Sequence, residues 1–206
     1  MALNFANNNS LSAITTLPAS ISGGAMTLIS EQTASGSATI DFTSGIDSTY
    51  DSYVFKFYNI HPATGHTDFS FQVDTGTNTN YNQTMTTTYF RAYHIESDTG
   101  AGLGYQGGSD QAQGTGFQAI ARPVSNENDA SASGHLQIFN PSSSVFVKHF
   151  IARVNNSEYY SVTPYSATND CYVAGYINNT TAITRVRFKM SSGNIDSGVI
   201  KLYGIS

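Results

Sequence analysis

The sequence is poor in charge, in basic side chains and in cysteine, and it has no long apolar run. Asp, Glu, Lys and Arg make up 11% of the 206 residues, against roughly 25% in an ordinary globular protein. Nine Lys and Arg face 14 Asp and Glu, for a formal net charge of −5. That balance argues against nonspecific binding of nucleic acid, which depends on basic side chains neutralising phosphates. The first basic side chain is Lys56. No basic arm, signal-peptide n-region or Arg-rich transit peptide is therefore expected. No apolar run approaches the roughly 18 residues of a membrane helix, so membrane insertion is not expected. The one cysteine, Cys171, excludes an intrachain disulfide. Lying in CYVAGYI, it reads as a small core residue. These features predict synthesis in a cytoplasm and no passage through the general secretory route.

What replaces charge is Ser, Thr, Asn and Gly, together with 13 Tyr and 12 Phe. Thr, Tyr and Phe favour strands, and Ser, Thr and Asn supply turns and polar strand faces. A hydrophobic fraction of 39% is enough for a core. A single all-β unit of this length is ordinary.

Residues 1–25 show neither helical period nor alternation. Leu3, Phe5, Leu11, Ile14 and Leu17 are scattered along a polar stretch, which reads either as an extended anchor docking on a neighbouring surface or as an unstructured terminus. From residue 26 onward the chain predicts one domain. Strands are expected at 27–32, 37–42, 51–60, 68–74, 86–95, 134–140, 144–154, 171–177, 182–190 and 197–205. Phe69, Phe71 and Val73 alternate with Ser70 and Gln72, the mark of a half-buried antiparallel strand. In the stretch 197–205 both faces are mostly apolar, which predicts protein on both sides. Residues 97–116 carry seven glycines and read as one long loop, either functional or mobile. Residues 117–131 follow with at most one short strand. About ten strands, turn chemistry between them and no amphipathic helix predict an antiparallel β-sandwich, jelly-roll-like, with an extended N-terminal arm.

Motifs for chemistry are weak. Gly102–Gly107 matches GxGxxG, with Glu127 twenty residues on, but no helix or βαβ unit follows to meet a pyrophosphate. His61, His66 and Asp68 are close in sequence and read as a turn rather than a metal site. The acidic stretch 126–129 lacks the spacing of a calcium loop. His94 and Glu96 share a strand face with no nucleophile motif nearby. No catalytic residue, metal or cofactor is predicted, and the chain is read as a non-enzyme. The sharpest charge feature is Arg185, Arg187 and Lys189, which alternate with Val186, Phe188 and Met190 and so form a basic strand face. That face either pairs with acids on neighbouring strands or meets an acidic partner or anionic polymer.

IDFTSGIDSTYDSYVFKFYNIHPAT (40–64), TTTYFRAYH (86–94), SGHLQIFNPSSSVFVKHFIARV (133–154) and the terminal SGVIKLYGI resemble virion structural proteins of tailed phages of marine cyanobacteria and other marine bacteria. The resemblance covers roughly 37–206, and the glycine-rich stretch least. It implies a capsid decoration, head-fibre or tail adsorption protein, located in the virion after synthesis in the host cytoplasm. It implies other virion proteins as partners and a homo-oligomer, with trimers common among such proteins. The alternative it implies is a tail adsorption protein binding host-surface glycan. It supplies no catalytic residues.

Overall fold

The computed structural model describes residues 26–160 and 165–206. The N-terminal arm, with Leu3, Phe5, Leu11, Ile14 and Leu17, lies outside the described residues. The rest is built from twelve strands: β1 (Thr27–Ser37), β2 (Ile40–Phe42), β3 (Ser52–Pro62), β4 (Thr67–Thr75), β5 (Met85–Ile95), β6 (Ala101–Tyr105), β7 (Gln118–Val124), β8 (Ala132–Phe139), β9 (Lys148–Tyr160), β10 (Tyr165–Ile177), β11 (Ile183–Met190) and β12 (Ile195–Ile205). All named pairings are antiparallel. They form an eight-stranded sheet, β1-β12-β3-β8-β9-β10-β5-β6, and a four-stranded sheet, β2-β11-β4-β7.

The order of these strands gives the topology. Taken in chain order as one to eight, β1, β2, β3, β4, β7, β8, β11 and β12 lie as 1-8-3-6 in one sheet and 2-7-4-5 in the other. Those are the interlocked Greek keys of a jelly roll. The remaining four strands are two inserted hairpins, β5–β6 and β9–β10. They pair with each other through β5 and β10 and widen the larger sheet beyond β8.

The core between the sheets is aromatic. Phe55 and Phe57 on β3 meet Phe42 on β2, Phe69 on β4 and Phe188 on β11, with ring centroids 5.1–5.3 Å apart for Phe42–Phe55, Phe55–Phe188, Phe57–Phe188 and Phe57–Phe69. Phe71 meets Phe150 at 5.0 Å and carries the contact out to the inserted strands. Each of these rings is essentially buried. Edge-to-face packing of this kind adds about 0.5–1.5 kcal/mol per pair beyond the area removed from water.

Three local expectations are corrected by the fold. The stretch 27–42 is not two strands split at 34–36. β1 runs through that point because its partner β12 is equally long, and the chain changes sheets only at 38–39. The glycine-rich stretch is not one loop, since Ala101–Tyr105 forms β6 on β5 and Gly114 bridges to Met85 beyond it. A Cβ at Gly102 would lie 2.9 Å from the Tyr93 ring, so any other residue there would have to displace that ring. Finally, β12 has protein on one face only. Ile200, Leu202 and Gly204 are buried, whereas Val199, Lys201, Tyr203 and Ile205 are half-exposed.

β4 departs from expectation in the opposite sense. Its polar side is covered as fully as its apolar side. The Gln72 amide nitrogen is within hydrogen-bond reach of the carbonyls of Gln83, Thr115 and Gly116 at 2.9, 3.2 and 2.9 Å. The Asp74 carboxylate accepts from the Tyr81 amide and from Gln83. The side chains that looked solvent-facing tie down the segments on either side of the β5–β6 hairpin.

Candidate interaction surface and polar cleft

Directly paired residues of an antiparallel sheet share a face. The outer face of the eight-stranded sheet therefore carries one continuous row across all its strands: Tyr105, Phe90, Tyr172, Arg153, His135, Lys56, Lys201 and Glu31. Phe90 and Tyr172 are stacked, with centroids 4.9 Å apart and planes within 5°. The Arg153 guanidinium lies 4.8 Å from the Tyr172 ring and forks onto Asp170 at 3.1 and 2.7 Å. That hydrogen-bonded partner holds the Asp170 carboxyl below the usual carboxylate range. Lys201 pairs with Glu31 at 2.8 Å. Among the described residues Lys56 has no ion-pair partner, and its ammonium sits 5.5 Å from the Tyr203 ring. Burial, then the charges of Lys56 and Arg153, hold the His135 imidazole below its ordinary value.

Beside this row the surface turns apolar. Phe139, Ile151, Tyr176, His149 and Ala174 line a shallow depression. The β8–β9 connection separately exposes Val145 and Phe146, each about 70%. Large apolar side chains grouped in this way on a surface commonly mark an interaction site.

A second feature lies under the other side of the inserted strands. A cleft of about 430 Å³ is lined by Tyr89 and Arg91 of β5, Tyr105 of β6, the turn Gly107–Ser109, Arg122 and Pro123 of β7, and Glu158 of β9, with His66 at its edge. Arg91 Nη1 donates to the Arg122 carbonyl at 3.1 Å and lies 3.9 Å from Glu158. Arg122 donates to Ser109 Oγ at 2.6 Å and stands 3.5 Å from Asp68. Asn169 donates to Glu158 at 3.0 Å. Among the described residues, the buried Arg91 Nε and Asn169 Oδ1 have no hydrogen-bond partner, and the buried Tyr89 hydroxyl has only the Cys171 thiol beside it. Cys171 is a buried core residue beside Tyr89, and burial pushes its thiol up.

The basic strand face sits where alternation places it, on the outside of β11. Each cation is engaged within the chain. Arg187 forks onto Asp41 at 2.7 and 2.6 Å, with its guanidinium 4.0 Å from the Tyr81 ring. Arg185 donates to the Gly76 carbonyl at 3.0 Å, and Lys189 lies 4.6 Å from the Phe117 ring. Gly76, Tyr81 and Phe117 all belong to the segments that cover β4.

The sequence neighbours His61, His66 and Asp68 diverge. His61 faces Asp196 and the Glu127 carbonyl, His66 the Tyr159 carbonyl, and Asp68 faces Arg122. Among the described residues no three His, Cys, Asp or Glu side chains gather as metal ligands. Gly102 and Gly104 of the GxGxxG match lie within a strand and precede no helix. His94 pairs with Asp98 at 3.1 Å, not with Glu96.

Neither the outer row nor the cleft was found from sequence. The row depends on the register of eight strands, six of them paired to at least one partner distant in the chain. The cleft depends on the β5–β6 hairpin, for which the alternation Ala-Gly-Leu-Gly-Tyr at 101–105 was the available signal. No family model, curated protein or solved structure matches this chain.

Proposed function

We propose that the chain is a non-enzymatic structural protein of a virion, which assembles with its own copies and with other virion proteins. The observation that supports this reading is the widened outer sheet face, where Phe139 and Ile151 stand exposed near a row of aromatic and cationic groups, with Val145 and Phe146 exposed in the β8–β9 connection. A flat apolar surface with a polar border suits contact with another protein. The sequence resemblance to tailed-phage virion proteins supports the same reading, with residues 1–25 as the joining segment. Light scattering on the purified chain tests the assembly. A defined oligomer that Ile151→Lys and Phe146→Asp reduce to monomer is expected, and a wild-type monomer at all concentrations overturns it. Cryo-EM of particles carrying the chain tests the location, and density on neither capsid nor tail overturns it.

A second reading, adsorption to a host-surface glycan, is favoured by the polar cleft behind β5 and β6. Loss of cell binding on disruption of that cleft tests it.

A further inference from the structure

We propose that an uncharged band across the outer face of the eight-stranded sheet receives residues 1–25 of a second copy of the chain. The inference rests on the reading of that segment as the one that joins copies, and it names the surface the segment grips.

Strand register defines the band. Leu28, Tyr203, Val54, Gln137, Ile151 and Ala174 stand side by side on the outer face across β1, β12, β3, β8, β9 and β10. Toward the end of the sheet, Phe139, His149 and Tyr176 line a depression of about 420 Å³ together with Ile151 and Ala174. None of these side chains is a carboxylate, an ammonium or a guanidinium. Charge begins in the next row, at Glu31, Lys201, Lys56 and Arg153. Leu28 is 51% exposed and Ile151 50%, so apolar surface is left in water at both ends of the band. Grouped exposure of this kind favours a covering partner.

The chain that precedes β1 has the matching character. No Asp, Glu, Lys or Arg precedes Glu31, and Leu3, Phe5, Leu11, Ile14 and Leu17 are spaced among Asn, Ser and Thr. Docking such a segment on an uncharged band desolvates no ion. The segment also joins the sheet at the right end. Thr27, the first residue of β1, lies in one row with Gly204, Tyr53, Ile138 and Phe150, level with the depression.

Direction and length assign the segment to a neighbour. β1 runs along the strand axis, at right angles to the band, so a chain continuing its line leaves the end of its own sheet. Leu11, Ile14 and Leu17 span about 20 Å when extended. That is close to the roughly 24 Å from β1 to β10 at about 4.8 Å per strand. Residues 18–26 then supply a bridge of about 30 Å, and Gly23 and Gly24 let it bend. Two copies that each give this segment and each receive one close a symmetric assembly.

The test uses the full chain. One preparation carries the photoreactive residue p-benzoylphenylalanine in place of Leu17. It is mixed with unmodified, nitrogen-15-labelled chain in dilute solution, where copies separate, then concentrated and irradiated. Mass spectrometry should find adducts that join the unlabelled N-terminal peptide to labelled peptides containing Phe139, Ile151 or Tyr176. Ile151→Lys in the labelled chain should lower their yield tenfold or more. Leu103→Lys, at an exposed site outside the band, should leave it unchanged. No adducts, adducts only between unlabelled peptides, adducts elsewhere on the labelled chain, or equal yields from the two variants each overturn the inference. An oligomer by light scattering whose adducts fall outside the band sinks this inference and leaves the joining role; a monomer at all concentrations sinks both.

Discussion

Arg187 and Asp41 stand directly opposite each other across β11 and β2, joined by two hydrogen bonds of 2.7 and 2.6 Å with the Tyr81 ring against the guanidinium. Both side chains are about a quarter exposed, 27% and 28%, so the pair is only partly screened by water. The pair holds β2, a three-residue strand, at the border of the smaller sheet.

Arg187→Ala should therefore destabilise the fold by about 1–2 kcal/mol, as charge-assisted bonds of this kind do. That corresponds to a fall in melting temperature of roughly 2–8 °C for a domain of this size. Arg187→Lys should recover only part of it, because an ammonium cannot fork. Thermal denaturation followed by far-UV circular dichroism measures both.

Gln72→Leu should cost about 1–2 kcal/mol, since the fully buried Gln72 amide gives up its bonds to the carbonyls of Gln83, Thr115 and Gly116, of which Gly116 keeps Gln111 as a second donor. The loss should appear locally. Hydrogen exchange should accelerate at 81–84 and 114–117 before it does in β3 or β8.

Gly134→Val should be more damaging than its position near the surface suggests. A Cβ there would fall on the Arg153 carbonyl of the neighbouring strand, so β8 and β9 would have to separate. A loss of about 2–3 kcal/mol is expected, read as a lower denaturation midpoint in urea.

The His135 imidazole gives a pH dependence of known sign. Its folded-state value lies below the unfolded value of about 6.5. Between the two, the unfolded chain binds more protons than the folded one, so stability falls as the pH drops from 7 through that window. The opposing charges facing it are Lys56 on β3 and Arg153 on β9. His135→Gln should flatten the decline in melting temperature between pH 7 and 5; an unchanged slope would remove His135 from the account.

Where the sequence was legible, side chains alternated in hydrophobicity against a uniform environment. Tyr53, Phe55 and Phe57 announced β3, and Val186, Phe188 and Met190 announced β11, because one face of each packs on the core. The polar residues of β4 misled for a definite reason: Ser70, Gln72 and Asp74 are buried, but against backbone amides and carbonyls rather than water, and sequence alone cannot distinguish the two solvents. The cations of β11 were placed on the correct face, while their partners Asp41, Gly76 and Phe117 lie far away in the chain. β6 went unseen because strand propensity is low for glycine, and of its two glycines Gly102 lies against the Tyr93 ring.

The two inserted hairpins are also an ordering problem for synthesis. β5 emerges from the ribosome before β7, β8 and β9 exist, yet the strand that secures its inner edge is β10. Until residues 165–177 arrive, the Phe90 side of that hairpin and the apolar Met85, Tyr89 and Ile95 side have only β6 beside them. The jelly roll is likewise held open until β12 can enter between β1 and β3. A nascent chain of this protein thus carries unmatched strand edges for most of its translation, and a slowly translated or truncated message is the circumstance in which it should aggregate.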